Sequence, residues 1–197
     1  GDAERLPLPQ IAPEDLPAGF NSIPFYHDVP GLLRDLDDPL LAAAGTQARQ
    51  AGRAAGQGFA NSRTGELIFT IIIRMDALDQ AQEAVRHIGE QPIESALGFI
   101  SPDETLFDSG HRPAPEVGDI AVSYFLRYGV EEAGSRPRDV ATELLIFSEG
   151  RNLVFVLRSV NQADPQPADV EPLDLASLAR TISVRSERIH AGEEPHD

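Results

Sequence analysis

The stretch TELLIFSEGRNLVFVLRSV, Thr142 to Val160, decides the fold. Two apolar runs rich in β-branched and aromatic residues flank Glu149-Gly150, an acidic–glycine pair suited to a tight hairpin. The reading is an antiparallel pair, strand 139–148 against strand 151–160. A two-residue turn at Glu149-Gly150 sets Leu144 opposite Phe155, Ile146 opposite Leu153 and Thr142 opposite Leu157. Side chains alternate along a strand, so Leu144, Ile146, Leu153, Phe155 and Leu157 share one core face. The other face carries Glu143, Leu145, Phe147, Asn152, Val154, Val156 and Arg158, a mixed set.

The pattern extends outward from this hairpin in both directions. Strand 120–129 reaches it through Gly134-Ser135-Arg136-Pro137. After a Pro-rich loop at 161–172, Asp174 is an N-cap, and Leu175, Leu178, Ala179, Ile182 and Ile189 form a stripe expected to lie on the core face. Upstream, Asp38-Pro39 starts a helix expected to reach about Ala55 and to stop at Gly56 and Gly58. Strands at 58–63 and 66–75 follow, joined by Arg63-Thr64-Gly65. Leu67 to Ile73 is nearly all apolar, the mark of a strand covered on both faces. Asp76 caps a helix running to about Ile88, with Leu78, Ala81, Val85 and Ile88 as its stripe. Residues 89–118 read as an irregular connection with a short helix near 92–97.

Prolines at 7, 9, 13, 17, 24, 30 and 39 exclude long helices and central strands from the N-terminal segment. It reads as an extended arm anchored by Leu16, Phe20, Ile23, Phe25 and Tyr26, with residues 1–12 expected to be disordered. The expected fold class is α+β: an antiparallel sheet of about five strands with helices packed on it. The expected organisation is an arm at 1–37, one domain at 38–189 and a polar tail at 190–197.

The 197-residue chain carries 32 acids and 16 bases, a formal net charge of −16, and every base is arginine. Such a charge repels phosphate backbones and anionic membrane surfaces, so no nucleic-acid partner is expected. Without cysteine there is no disulfide, thiolate nucleophile or Cys-ligated metal. No apolar run is long enough to span a membrane as a helix. The chain begins Gly-Asp-Ala-Glu rather than with Met, which leads to the expectation of a signal peptide or lipid anchor ahead of it.

Asp108-Ser109-Gly110 after Leu106-Phe107 resembles an aspartic-protease loop. That chemistry needs two carboxylates sharing a proton, and only one such triplet is present, so a turn is the expected structure. His27, His87, His111, His190 and His196 form no metal-spaced pair. Asp35, Asp37 and Asp38 lack the glycine and terminal glutamate of a calcium loop. Neither a phosphate loop nor a nucleophile elbow is present. No catalytic residue, metal ligand or cofactor is therefore assigned. Strand parity supplies one candidate ligand-binding set: Arg74, Ser123, Arg127, Glu143 and Arg158 fall on the less apolar parity of their strands. With the faces aligned, three guanidiniums gather under the 89–118 segment and bind a carboxylate or other anion. The competing reading pairs them with acids such as Glu143, diagonal to Arg158.

Six segments occur in a telling order: EDLPAGF (14–20), AGRAAGQGFANSR (51–63), DALDQAQEAV (76–85), EVGDIAVSYFLRY (116–128), ELLIFSEGRNLVFVLRSV (143–160) and DLASLARTI (174–182). Together they resemble a group of uncharacterised exported proteins, often lipoproteins, of GC-rich bacteria. That group is similar in layout to the PsbP-like α/β/α sandwich. The resemblance covers roughly 14–189 and rests on structural motifs, the Gly118-Asp119 turn and the Glu149-Gly150 hairpin; the Pro-rich 161–172 loop departs from it. It implies an extracytoplasmic location and carries over no catalytic residue. The expectation is thus a non-enzymatic protein, secreted or lipid-anchored, that binds a small molecule or protein partner at the cell envelope. A structural adaptor of an envelope complex and a hydrolase using an acid in the 99–111 loop are the alternatives.

Overall fold

A computed structural model of the protein describes residues 7–24, 53–91, 104–130, 138–161 and 174–192. Among them, strands β1 (Phe20–Ile23), β2 (Ala54–Asn61), β3 (Glu66–Arg74), β4 (Glu104–Arg112), β5 (Ile120–Val130), β6 (Arg138–Glu149) and β7 (Asn152–Asn161) form one sheet. It is antiparallel throughout, in the order β1-β2-β3-β7-β6-β5-β4. Helix α1 (Leu78–Glu90) covers one face and helix α2 (Leu175–Ala191) the other. The α+β class and the antiparallel sheet are as expected, but the sheet has 7 strands. The two unforeseen strands, β1 and β4, are its edges. β1 lies in the segment read as an arm and β4 in the one read as an irregular connection. An edge strand pairs on one side only and is half exposed, so its composition resembles that of a loop.

The β6–β7 turn is Gly150-Arg151, with Gly150 at φ +56. Glu149 pairs with Asn152, Ile146 with Phe155, Leu144 with Leu157 and Thr142 with Ser159. This corrects the expected register by two residues. A shift of two preserves every face, so Leu144, Ile146, Leu153 and Phe155 are buried together as expected. Their cover differs from expectation: it is α1, through Ala81, Ala84, Val85 and Ile88, and not the closing helix. On the opposite face α2 presses Leu178, Ala179 and Ile182 onto Phe59, Ile68, Ile72, Leu145, Phe147, Val154 and Val156. The mixed face is a second core layer. The arm completes it with Ile11, Leu16 and Phe20. Ile11, in the stretch expected to be disordered, is 4% exposed, and the Gln57 amide grips it through both its N–H (2.9 Å) and its carbonyl (2.8 Å).

Four local readings are also corrected. The helix expected from Asp38 lies outside the described residues up to position 52, but its expected end, Ala54 to Gly58, is in β2. The small residues there serve close packing: a Cβ on Gly58 would lie 3.0 Å from Ile23 and 3.1 Å from Phe69. Helix α1 begins at Leu78 with Ala77 as its N-cap; Asp76 instead pairs with Arg53, and Leu78 is half exposed. His190 is in the last turn of α2, not in a tail. The readings at 92–97 and 162–172 lie outside the described residues. Asp174 does cap α2, accepting the Ala176 N–H at 3.0 Å. Gly118, at φ +61, permits the turn in which the Asp119 N–H meets the Ser148 carbonyl at 2.7 Å; a Cβ there would lie 2.1 Å from that oxygen.

Candidate functional site

Antiparallel pairing gathers polar residues at one end of the α2 side of the sheet. Arg158 of β7 lies opposite Ile68, two residues along β3 from Glu66. Glu143 of β6 lies opposite Arg158, and Phe125 of β5 lies opposite Glu143. Arg112 of β4 lies opposite Ser123 of β5. Directly opposed residues share a face, so all of these point to the same side.

Charges alternate along this row. Arg158 Nε donates to Glu66 Oε2 at 2.8 Å, and Arg158 Nη1 to Glu143 Oε2 at 3.5 Å. Arg112 Nη1 donates to Glu143 Oε1 at 2.8 Å, and its guanidinium lies 5.0 Å from the centroid of the Phe125 ring. The Glu66 side chain is 1% exposed, so Arg158 compensates its charge. Arg112, at 50%, is the solvent-facing end of the row. It uses one N–H on Glu143; its other donors have no partner among the described residues.

A groove of about 410 Å³ opens between this row and the first turn of α2. Arg112, Ser123, Glu143 and Arg158 line one side, Asp174 to Ala176 the other, and Pro113 to Pro115 form the rim. Leu145 and Leu175 add apolar surface. Asp174 is engaged as the helix cap. The Ser177 hydroxyl at 2.8 Å, followed by the Ala176 and Ser177 amides, holds its carboxyl below the usual carboxylate range.

Of the residues singled out by strand parity, Ser123, Glu143 and Arg158 line the groove. Arg74 and Arg127 do not. Arg74 stands six residues beyond Ile68 on β3, about 20 Å from Arg158 along the strand. Its Nε reaches Asn152 Oδ1 at 3.3 Å and its Nη2 the Pro7 carbonyl at 2.8 Å. Burial first, then Arg151 and Arg53, push its pKa down. Arg127 is on the surface, its Nε 3.0 and 3.1 Å from the two Asp139 oxygens. That hydrogen bond raises the pKa of Arg127 and lowers that of Asp139. Glu143 is directly opposite Arg158 rather than diagonal.

Glu66, Arg112, Phe125 and Asp174 were not read as site residues. Glu66 shares the parity of Arg74, so its face was legible. Arg112 carries no strand signal of its own, because the residues before it, Asp108 to His111, have the composition of a turn and take strand geometry from pairing with β5. Asp108-Ser109-Gly110 forms no turn; it lies in β4 at a register irregularity, with Asp108 opposite Arg127. Among the described residues no three His, Asp or Glu side chains gather as metal ligands, and no helix is long and apolar enough to cross a membrane. No protein-family model matches this chain and no curated protein matches its sequence, so the geometry of the groove carries the functional reading.

Proposed function

We propose that this is a non-enzymatic binding protein of the cell envelope, built on a PsbP-like sandwich, whose groove beside α2 takes a ligand through a carboxylate group. The observation that carries the reading is Arg112. Stacked on Phe125 and oriented by Glu143, its planar guanidinium keeps unengaged donors at the groove mouth. Guanidinium donors match a carboxylate in geometry, and charge-assisted hydrogen bonds are the strong ones. Arg158 and Ser123 line the same wall. Pro113, Leu145 and Leu175 suit an apolar portion of the ligand, the usual mixture in small-molecule sites.

Two features support binding over catalysis. Arginine stays protonated and serves poorly as a general base. The groove carboxylates are committed, Glu143 to two guanidiniums and Asp174 to the helix cap. The envelope location rests on the resemblance over 14–189, and the helices on both faces of an antiparallel sheet agree with the PsbP-like layout.

Calorimetric titration with N-acetyl amino acids tests the reading. A free carboxylate is expected to bind and its amide to bind far more weakly. Arg112→Gln is expected to weaken binding about 10- to 100-fold, the equivalent of roughly 1.5–3 kcal/mol for a charge-assisted bond. Equal affinity for acid and amide would refute the carboxylate reading. Fractionation of the native host tests the location; a purely cytoplasmic pool would refute it.

A further inference from the structure

The groove does not end at the first turn of α2. Ala114 and Pro115 also wall a second groove of about 550 Å³, between residues 114–121 and the middle of α2. On the helix the lining advances from Asp174–Ala176 to Arg180, Ser183 and Val184. From Ala176 to Val184 the axis rises about 12 Å, the reach of about four residues of extended chain.

Two observations point to what lies along it. Pro113 and Pro115 hold the residues before them, Arg112 and Ala114, in extended backbone. Among the described residues, Ala114, Glu116 and Val117 make no backbone hydrogen bond, and all three line the far groove. Backbone groups left without protein partners offer hydrogen bonds to a second chain laid beside them. The far groove joins an exposed apolar side chain, Val184 at 46%, to two exposed acidic residues, Glu116 and Asp119, the latter also accepting the Gly150 N–H at 2.9 Å on one carboxylate oxygen. These acids, on a chain of net charge −16, select a basic partner.

Resting on the carboxylate reading above, we propose that the joined grooves take an extended basic peptide with a free C-terminus. The terminal carboxylate lies on Arg112 and the peptide backbone follows Ala114 to Val117. An apolar side chain meets Val184, and an upstream Lys or Arg faces Glu116 and Asp119. The polar lining of the far groove, Arg180 and Ser183 with the two acids, suits a peptide better than an acyl chain.

Fluorescence anisotropy on the intact chain tests this with labelled peptides. The set is a hexapeptide with two upstream lysines, its C-terminal amide, its Lys→Glu counterpart and the C-terminal tripeptide alone. The hexapeptide is expected to bind at least 10-fold more tightly than the tripeptide, the amide and the glutamate peptide. Val184→Ser is expected to weaken the hexapeptide several-fold and to leave the tripeptide unchanged. If tripeptide and hexapeptide bind alike and Val184→Ser changes neither, the peptide proposal falls while the carboxylate site stands. If amidation leaves binding of the hexapeptide unchanged, the carboxylate reading and the proposal fall together. Displacement of the hexapeptide by a long-chain fatty acid, with no preference for lysine over glutamate, would also overturn the peptide in favour of an acyl ligand.

Discussion

Glu66 is buried at the start of β3, and the cation that answers it is Arg158. A carboxylate removed from water loses several kcal/mol of hydration, which a partner must offset. Arg158→Met leaves that carboxylate uncompensated and is expected to cost about 3 kcal/mol in urea denaturation. Adding Glu66→Gln is expected to restore most of the loss; a double variant as unstable as the sum of the singles would show that the pair is not coupled. Glu149 presents the opposite case. Burial first raises its carboxyl above the ordinary range. Asp119 and Glu187 push the same way, against the Ser183 hydroxyl and His190. The folded chain therefore holds this proton more tightly than the unfolded one. The ionised form costs stability at neutral pH, and that cost fades as pH falls through the raised value towards the ordinary 4.5. Glu149→Gln is expected to raise the urea midpoint at pH 7, with the gain over the parent shrinking towards pH 4.5. A gain constant over that range would rule out the ionisation as its cause. Neither environment was legible locally: Glu66 and Glu149 are ordinary strand-end acids until neighbours distant in sequence bury them.

Among the elements, the Pro-rich arm differs most from its reading. Proline removes donors and fixes φ, which correctly excludes a long helix and a central strand from residues 7–19, where only the three-residue 3-10 turn Pro13–Asp15 is helical. The same residues nevertheless close a core layer, because side-chain anchors replace ladder bonds. Arg185 of α2 clamps Asp15 bidentately, at 2.5 and 2.8 Å, and donates to the Gln10 carbonyl at 3.0 Å. Arg185→Ala is expected to cost about 2 kcal/mol, within the range for hydrogen bonds to charged groups. Hydrogen exchange localises the effect: the Ile11 amide, bound to Gln57 Oε1, is expected to exchange faster while β6 and β7 amides keep their protection relative to global stability. Uniform acceleration would mean that the arm is not a separable strap. The central strands β3, β5, β6 and β7 and both helices were legible because each has an apolar pattern of its own, of period two or near 3.6. β4 was not, since Asp108, Ser109, Gly110 and His111 carry the composition of a turn and their strand geometry comes from pairing with β5.

For the whole molecule, the consequence of placing β3 beside β7 and β4 at the far edge is the groove itself. The row from Glu66 to Arg112 crosses strands that are distant in sequence, and α2 lies beside it while α1 covers the other face. The net charge of −16 acts at longer range: anions are slowed on approach, but beyond about 8 Å this repulsion is screened at physiological salt. For the proposed ligand, recognition of the carboxylate is thus left to contacts at Arg112.

The sequence by itself determined the hairpin, the closing helix with its Asp174 cap, and which side chains share a face. Those are matters of local period and turn chemistry, and a register error of two residues at Glu149-Gly150 left them intact. Only the tertiary structure decided which helix covers which face, that Arg74 and Arg127 stand apart from Arg158, and that Arg112 completes the row. Parity states the side of a sheet but not the position along it or the order of strands. Those follow from packing both helices and the arm onto two apolar faces at once, a constraint no single segment contains.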